Sequence, residues 1–130
     1  MTPAEESVVL DLVCASAGRK AANLMKESGV SFFSDLASLL HREGIYMVFA
    51  FLESKWAKDA DPTRLSAFRS LEELLFHVVK EQLPGVELEP GENRALELCD
   101  AFQGRLEDLI QAKTLIQRCL DYASAYAKCF

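Results

Sequence analysis

Few side chains in this chain stand at a spacing that chemistry can use. His41 and His77 are the only imidazoles. Neither has a partner four residues away, the spacing by which a helix brings two histidines to one metal, so each reads as a surface or half-buried ring. Carboxylates double up at Glu72-Glu73 and at Glu107-Asp108. Neighbours on a helix point about 100° apart and cannot converge as an acid and a base on one bond, so both pairs read as solvated helix faces. Cys14, Cys99, Cys119 and Cys129 are scattered, with no Cys-x-x-Cys among them. Structural zinc prefers ligands paired at short spacing, so free buried thiols are expected, with neither a disulfide nor a metal. The chain has no Gly-x-Ser-x-Gly and no glycine-rich phosphate loop. Asp59-Ala60-Asp61 lacks the later oxygen ligands of a calcium loop. No catalytic site, metal or cofactor is expected, and the chain does not read as an enzyme.

What remains is a set of basic residues that could meet phosphate or a partner's acids. Arg19, Asn23 and Lys26 share one face of the first helical stretch, because seven residues nearly close two turns; Lys20 lies beside them. Arg42 precedes a glycine corner at Gly44, Lys55 lies near the end of the following stretch, and Arg118 belongs to the last one. A solvated charge is the default reading for each, with a phosphate or assembly contact as the alternative. Trp56, beside Lys55, could stack on a base or fill a core or a subunit interface. The formal net charge of −6 argues against autonomous, tight nucleic-acid binding, since a phosphate backbone rewards many basic contacts. It leaves room for a small basic strip inside a larger assembly. The charge is also unevenly spread: eight acids lie between Glu81 and Asp108 against Arg94 and Arg105. Beyond Asp108 the balance reverses, with Lys113, Arg118 and Lys128 against Asp121.

The elements that must position these residues are all helical. With 130 residues the chain reads as one domain, 1–130, large enough to bury a core. A helix over about 4–27 starts at Thr2 or Pro3 and stops at Ser28-Gly29. Its Leu10, Val13, Ala17, Ala21 and Leu24 recur at three- and four-residue intervals. A second, over about 32–43, takes Ser31 as its cap, and Gly44 closes it through a left-handed backbone. A third, over about 45–58, opens with Ile45 to Leu52, apolar on every side, and must be covered all round by its own domain or by a partner. Asp61 as N-cap and Pro62 as first residue start a fourth, to about Gln82. Pro84 to Gly91 is a loop with two proline–glycine turns. Helices over about 92–103 and 105–128 follow, parted by a weak point at Gly104. The last carries a seam of Leu109, Ala112, Ile116, Cys119, Ala123, Tyr126 and Phe130. The expected fold is all-α, a compact single-domain bundle of about five to six helices. The longest apolar run is far short of the roughly 20 residues that cross a bilayer. The acid-led opening Met1-Thr2-Pro3-Ala4-Glu5-Glu6 is no export signal. A soluble, cytoplasmic protein without membrane contact is expected.

The segment from Leu39 to Lys55, Leu-Leu-His-Arg-Glu-Gly-Ile-Tyr-Met-Val-Phe-Ala-Phe-Leu-Glu-Ser-Lys, resembles the signature of the small helical subunit of Cmr-type (type III-B) CRISPR effector complexes. In that family a helix end with a basic residue meets a glycine corner, and an apolar Ala-Phe helix then closes on Ser-Lys. Gly44, Ala50, Phe51, Leu52, Ser54 and Lys55 match this scheme, and Arg42 stands where a basic residue is common. The final helix is similar too, through Leu120 and Tyr126-Ala127. There Tyr122 stands where a tryptophan is usual, and Ser124-Ala125 where basic residues are common. The resemblance implies a non-catalytic building block in antiviral defence. Its copies would stack beside the backbone subunits along the duplex of guide RNA and target RNA, touching RNA directly or only through neighbours. Its partners would be the other Cmr-type subunits, the two RNAs and further copies of itself. Arg19, Lys20, Lys26, Arg42, Lys55 and Arg118 are the candidates for RNA or assembly contact. The charge split suits head-to-tail stacking, which can extend as a filament. The competing reading is a generic all-α interaction module, or a homodimer burying the Leu109–Phe130 seam.

Overall fold

The computed structural model describes residues 2–26, 29–58, 62–83, 85–86 and 94–129. Six helices follow one another: α1 (Pro3–Leu24), α2 (Gly29–Glu43), α3 (Ile45–Lys58), α4 (Pro62–Gln82), α5 (Arg94–Ala101) and α6 (Leu106–Ala127). No strand occurs among the described residues. The fold is an all-α bundle.

Local signals account for most boundaries. The Thr2 side chain accepts from the Glu5 N–H at 3.2 Å and Pro3 takes the first helical position, which satisfies one of the helix's orphan donors and costs none. Gly44 has φ +94° and its N–H reaches the Leu40 carbonyl at 2.9 Å, so α2 ends in the left-handed turn that glycine permits. Gly104 has φ +75° and separates α5 from α6. The start of α2 differs from expectation. Gly29 takes the first helical position instead of stopping α1, which ends at Leu24 with Met25 as its cap, and Ser31 lies within the helix. The proposed Asp61 cap and most of the Pro84–Gly91 loop lie outside the described residues. Val86 is buried there, with its N–H on the Leu83 carbonyl at 3.0 Å.

The contacts fix how the helices lie. Cys14 on α1 meets Leu115 on α6, and one turn later Gly18 meets Cys119, Tyr122 and Ala123. The two long helices therefore run parallel. Lys113 reaches the His41 carbonyl at 3.4 Å, whereas Gln117 lies beside Ala37 and Ser38, so α2 runs antiparallel to α6. The α4 helix lies antiparallel to α1, with Glu81 beside Val9 and Arg64 beside Lys26. Phe49 on α3 and Phe76 on α4 pack edge to face at 6.3 Å, and Phe32 bridges from α2 to Phe68 at 5.6 Å. A half-buried carboxylate on α3, Glu53, accepts the Ala95 N–H at 2.9 Å and so anchors the first turn of the short α5.

The α1–α6 contact depends on small residues. A Cβ on Gly18 would overlap the Tyr122 Cβ and lie 2.8 Å from the Ala123 nitrogen and 2.9 Å from the Cys119 carbonyl oxygen. Ala17, Ala21, Ala22 and Cys14 complete the buried face of α1. The seam on α6 is thus spent within the chain: Ala112, Ile116, Cys119 and Ala123 are buried. It is not a free dimer surface, and Phe130 lies outside the described residues.

Two further expectations need correction. The pair Glu72-Glu73 is not a solvated face. Glu73 is half exposed and lies 3.7 Å from Arg69, but Glu72 is 0% exposed in the core, on the same face of α4 as Phe68 and Phe76. No buried side-chain nitrogen or oxygen among the described residues lacks a hydrogen-bond partner, which is what burial of a carboxylate demands. The thiols are free, but only Cys14 and Cys119 are buried; Cys99 and Cys129 are exposed. Cys99 sits on the open side of a single short helix, and Cys129 lies beyond the end of α6.

Candidate functional site

The basic residues singled out by sequence do not meet on one face. On α1, Arg19, Lys20 and Lys26 are all exposed. Lys20 and Asn23 turn toward α4, where Glu73, Leu74 and His77 form the opposite wall of a shallow groove. Further along, Lys26 shares its surroundings with Thr63 and Arg64. His77 is held by Glu81 at 3.0 Å, so this groove carries acids beside its cations. Lys55 lies over the Phe51 ring, 5.3 Å from its centroid, a stacked position on its own helix. It is about 15 Å along α3 from the Gly44 corner.

Arg118 is drawn into an internal network. Its guanidinium lies 3.6 Å from Asp11, and Asp11 also accepts the Tyr122 hydroxyl hydrogen at 2.8 Å. The hydrogen bond to Asp11 favours the protonated phenol, so the Tyr122 pKa is raised above its ordinary value. Arg118 thus links α6 to α1 through Asp11 while its side chain stays partly exposed. Beneath it, Cys14 and Cys119 face each other across the seam. The hydrogen bond with Cys14, together with burial, pushes the Cys119 thiol up and keeps it protonated.

Lys26 thus lies with Asn23, Thr63 and Arg64, and Arg42 falls into a second group of donors. Ser38, His41 and Arg42 from the last turns of α2 line a notch with Gln117 of α6, and the Lys113 ammonium joins them through the His41 carbonyl. Two cations, an imidazole and two polar side chains therefore converge at the C-terminal end of α2, where the helix dipole also favours positive charge. These cations sit against the last carbonyls of α2, which have no intrahelical partner. Sequence inspection missed Lys113, Gln117 and Ser38 because they become neighbours of Arg42 only through the antiparallel α2–α6 contact. Their spacing in the chain gives no sign of it. Among the described residues no three His, Cys, Asp or Glu side chains gather to hold a metal ion, and no described helix is long and apolar enough to cross a membrane. The Trp56 side chain, considered for base stacking, lies outside what is described.

Beside these polar features, large apolar side chains stay in solvent on three helices: Val8, Val9 and Leu12 on α1, Tyr46 and Met47 on α3, and Leu106 and Ile110 on α6. The α3 helix, apolar on every side in sequence, is thus covered by its own domain over Ile45, Val48, Phe49 and Leu52 and partly over Ala50 and Phe51, while Tyr46 and Met47 stay exposed. Comparison with known families, curated proteins and solved structures gives no match.

Proposed function

We propose that this chain is a non-catalytic assembly subunit, and that it is the small subunit of a type III-B (Cmr) CRISPR ribonucleoprotein, stacked beside the guide RNA–target RNA duplex. The observation that carries the assembly role is the grouping of solvent-facing large apolar side chains on α1, α3 and α6. Single exposed leucines are ordinary, but runs such as Val8, Val9 and Leu12 mark contact surfaces. The CRISPR reading rests on the Leu39–Lys55 resemblance. Two features support it: a positive-φ glycine at the corner of the motif, and an exposed Arg42 two residues before it. The α2–α6 notch is the RNA contact of this proposal, with Arg42 and Lys113 on phosphate.

The test is co-purification with candidate Cmr-type subunits and guide RNA, comparing the wild type with Arg42→Ala/Lys113→Ala. The reading expects the chain in the assembled particle. For the double variant it expects weaker target-RNA binding, an unchanged helical fold, and a salt dependence of binding shallower by roughly one unit of log–log slope per lost contact. A chain that never enters the particle, or a genomic locus without other Cmr-type subunits, would reject it. Head-to-tail stacking through the charge split is tested by light scattering across a salt series, and association indifferent to salt counts against it.

A further inference from the structure

We infer that α1 pairs with a second copy of this chain, antiparallel and centred on Leu12. The outward stripe of α1 reads Glu5, Val8, Leu12, Ala15, Arg19, at alternating steps of three and four residues, with Val9 and Ser16 alongside. Such a spacing forms one seam for another helix. Val8 is 60% and Leu12 64% exposed, although α1 already packs on α6 and α4; Val9, Leu12 and Ser16 form the rim of the groove that faces Leu74, His77 and Glu81 of α4. The stripe is its own complement. Glu5 and Arg19 lie seven residues either side of Leu12, about 10 Å each way. A two-fold axis at Leu12 sets each Glu5 against the second copy's Arg19. It also sets Val8 and Val9 against the small Ser16 and Ala15, and Leu12 against itself.

Among the described residues neither Glu5 nor Arg19 forms an ion pair within the chain, so both charges are available. A parallel pairing would bring Glu5 onto Glu5 and Arg19 onto Arg19, which like charges disfavour. The antiparallel one is isologous and closes as a dimer, and it also opposes the two helix dipoles favourably. One helix face is small beside the roughly 1,600 Å² of a standard interface, so the dimer belongs at the weak end. This pairing uses a different surface from the α2–α6 notch. A chain that fails to dimerise but still enters the effector particle would sink this inference alone.

The experiment is sedimentation equilibrium of the full chain from about 10 μM to about 1 mM, the range a small interface requires. The wild type should pass from monomer to dimer. Leu12→Glu, which places two like charges on the axis, should stay monomeric with unchanged helical circular dichroism. Glu5→Lys and Arg19→Glu should each raise the dissociation constant on the order of ten-fold. Mixed in equal amounts, those two variants should recover association, because both inter-copy pairs become attractive again. A wild type monomeric throughout, a dimer indifferent to Leu12→Glu, or a mixture as weak as either variant alone would each overturn the pairing.

Discussion

The two faces of α1 are both apolar, yet they are built for different distances. The inner face is small: Cys14, Ala17, Gly18, Ala21 and Ala22 are all buried, and α6 lies so near that Gly18 has no room for a Cβ. The outer face carries Val8, Val9 and Leu12, followed by Arg19 and Lys20. A hydropathy count ranks the outer side chains as the better core. Packing reverses that ranking, because small residues let two backbones approach and gain many dispersion contacts. Large side chains left in solvent, by contrast, await a partner.

The comparison can be broken most directly at Gly18. Gly18→Ala gains helix propensity of about 1 kcal/mol but forces α1 away from two backbone atoms of α6. A net loss of about 2 kcal/mol is expected by urea unfolding. An unchanged or higher midpoint would mean that the close approach is not what holds the seam. Ala21→Leu, on the same buried face, should cost about 1–3 kcal/mol by overpacking. Next comes the anchor of α5: Glu53→Ala removes the acceptor for the Ala95 N–H and should cost about 1 kcal/mol, which would show that the seam is not the sole site of sensitivity. Smallest is the outer face. Leu12→Ser should alter monomer stability by less than about 0.5 kcal/mol, as exposed substitutions usually do. A loss as large as that at Ala21 would erase the distinction between the faces.

The seam can also be sharpened by pH. The hydrogen bond to Asp11 raises the folded-state pKa of Tyr122. Its contribution to stability is therefore fully present below the phenol's unfolded value, near about 10, and is lost as pH rises through the folded value. Tyr122→Phe should be less stable than wild type at neutral pH, and the gap should narrow above about pH 10. A gap that stays constant into the alkaline range would mean that the Tyr122–Asp11 bond does not couple protonation to folding.

Much of the architecture was legible beforehand because helix limits are local. Thr2-Pro3, Gly44, Pro62 and Gly104 each act through their own backbone geometry, and the helices begin or end beside them as expected. Gly29 misled for a related reason: glycine permits a left-handed stop but does not compel one. Burial was legible where periodicity was unopposed, as along Ala112, Ile116, Cys119 and Ala123. It was misread at Glu72, where residue type outweighed position. The spacing to Phe68 and Phe76 was the available sign that this carboxylate lies on the buried face.

The candidate site was less legible than the fold. Arg42 was visible as a basic residue at a helix end, but its grouping with Lys113 and Gln117 depends on residues some seventy positions away. Arg118 looked like a free cation until Asp11, from the other end of the chain, was placed against it at 3.6 Å. The sequence alone determined an all-helical chain of five to six segments, the limits of α3 and α4, and which residues carry charge, because propensity, capping and periodicity act within a few residues. The periodic stripe of α1 already pointed to Ala17 and Ala21 as buried; the tertiary structure decided how closely that face approaches α6, left Leu24 exposed, and set which cation meets an acid and which gather at a notch. Those outcomes depend on how closely distant helices can approach, and that distance is set by side-chain volumes on both partners at once.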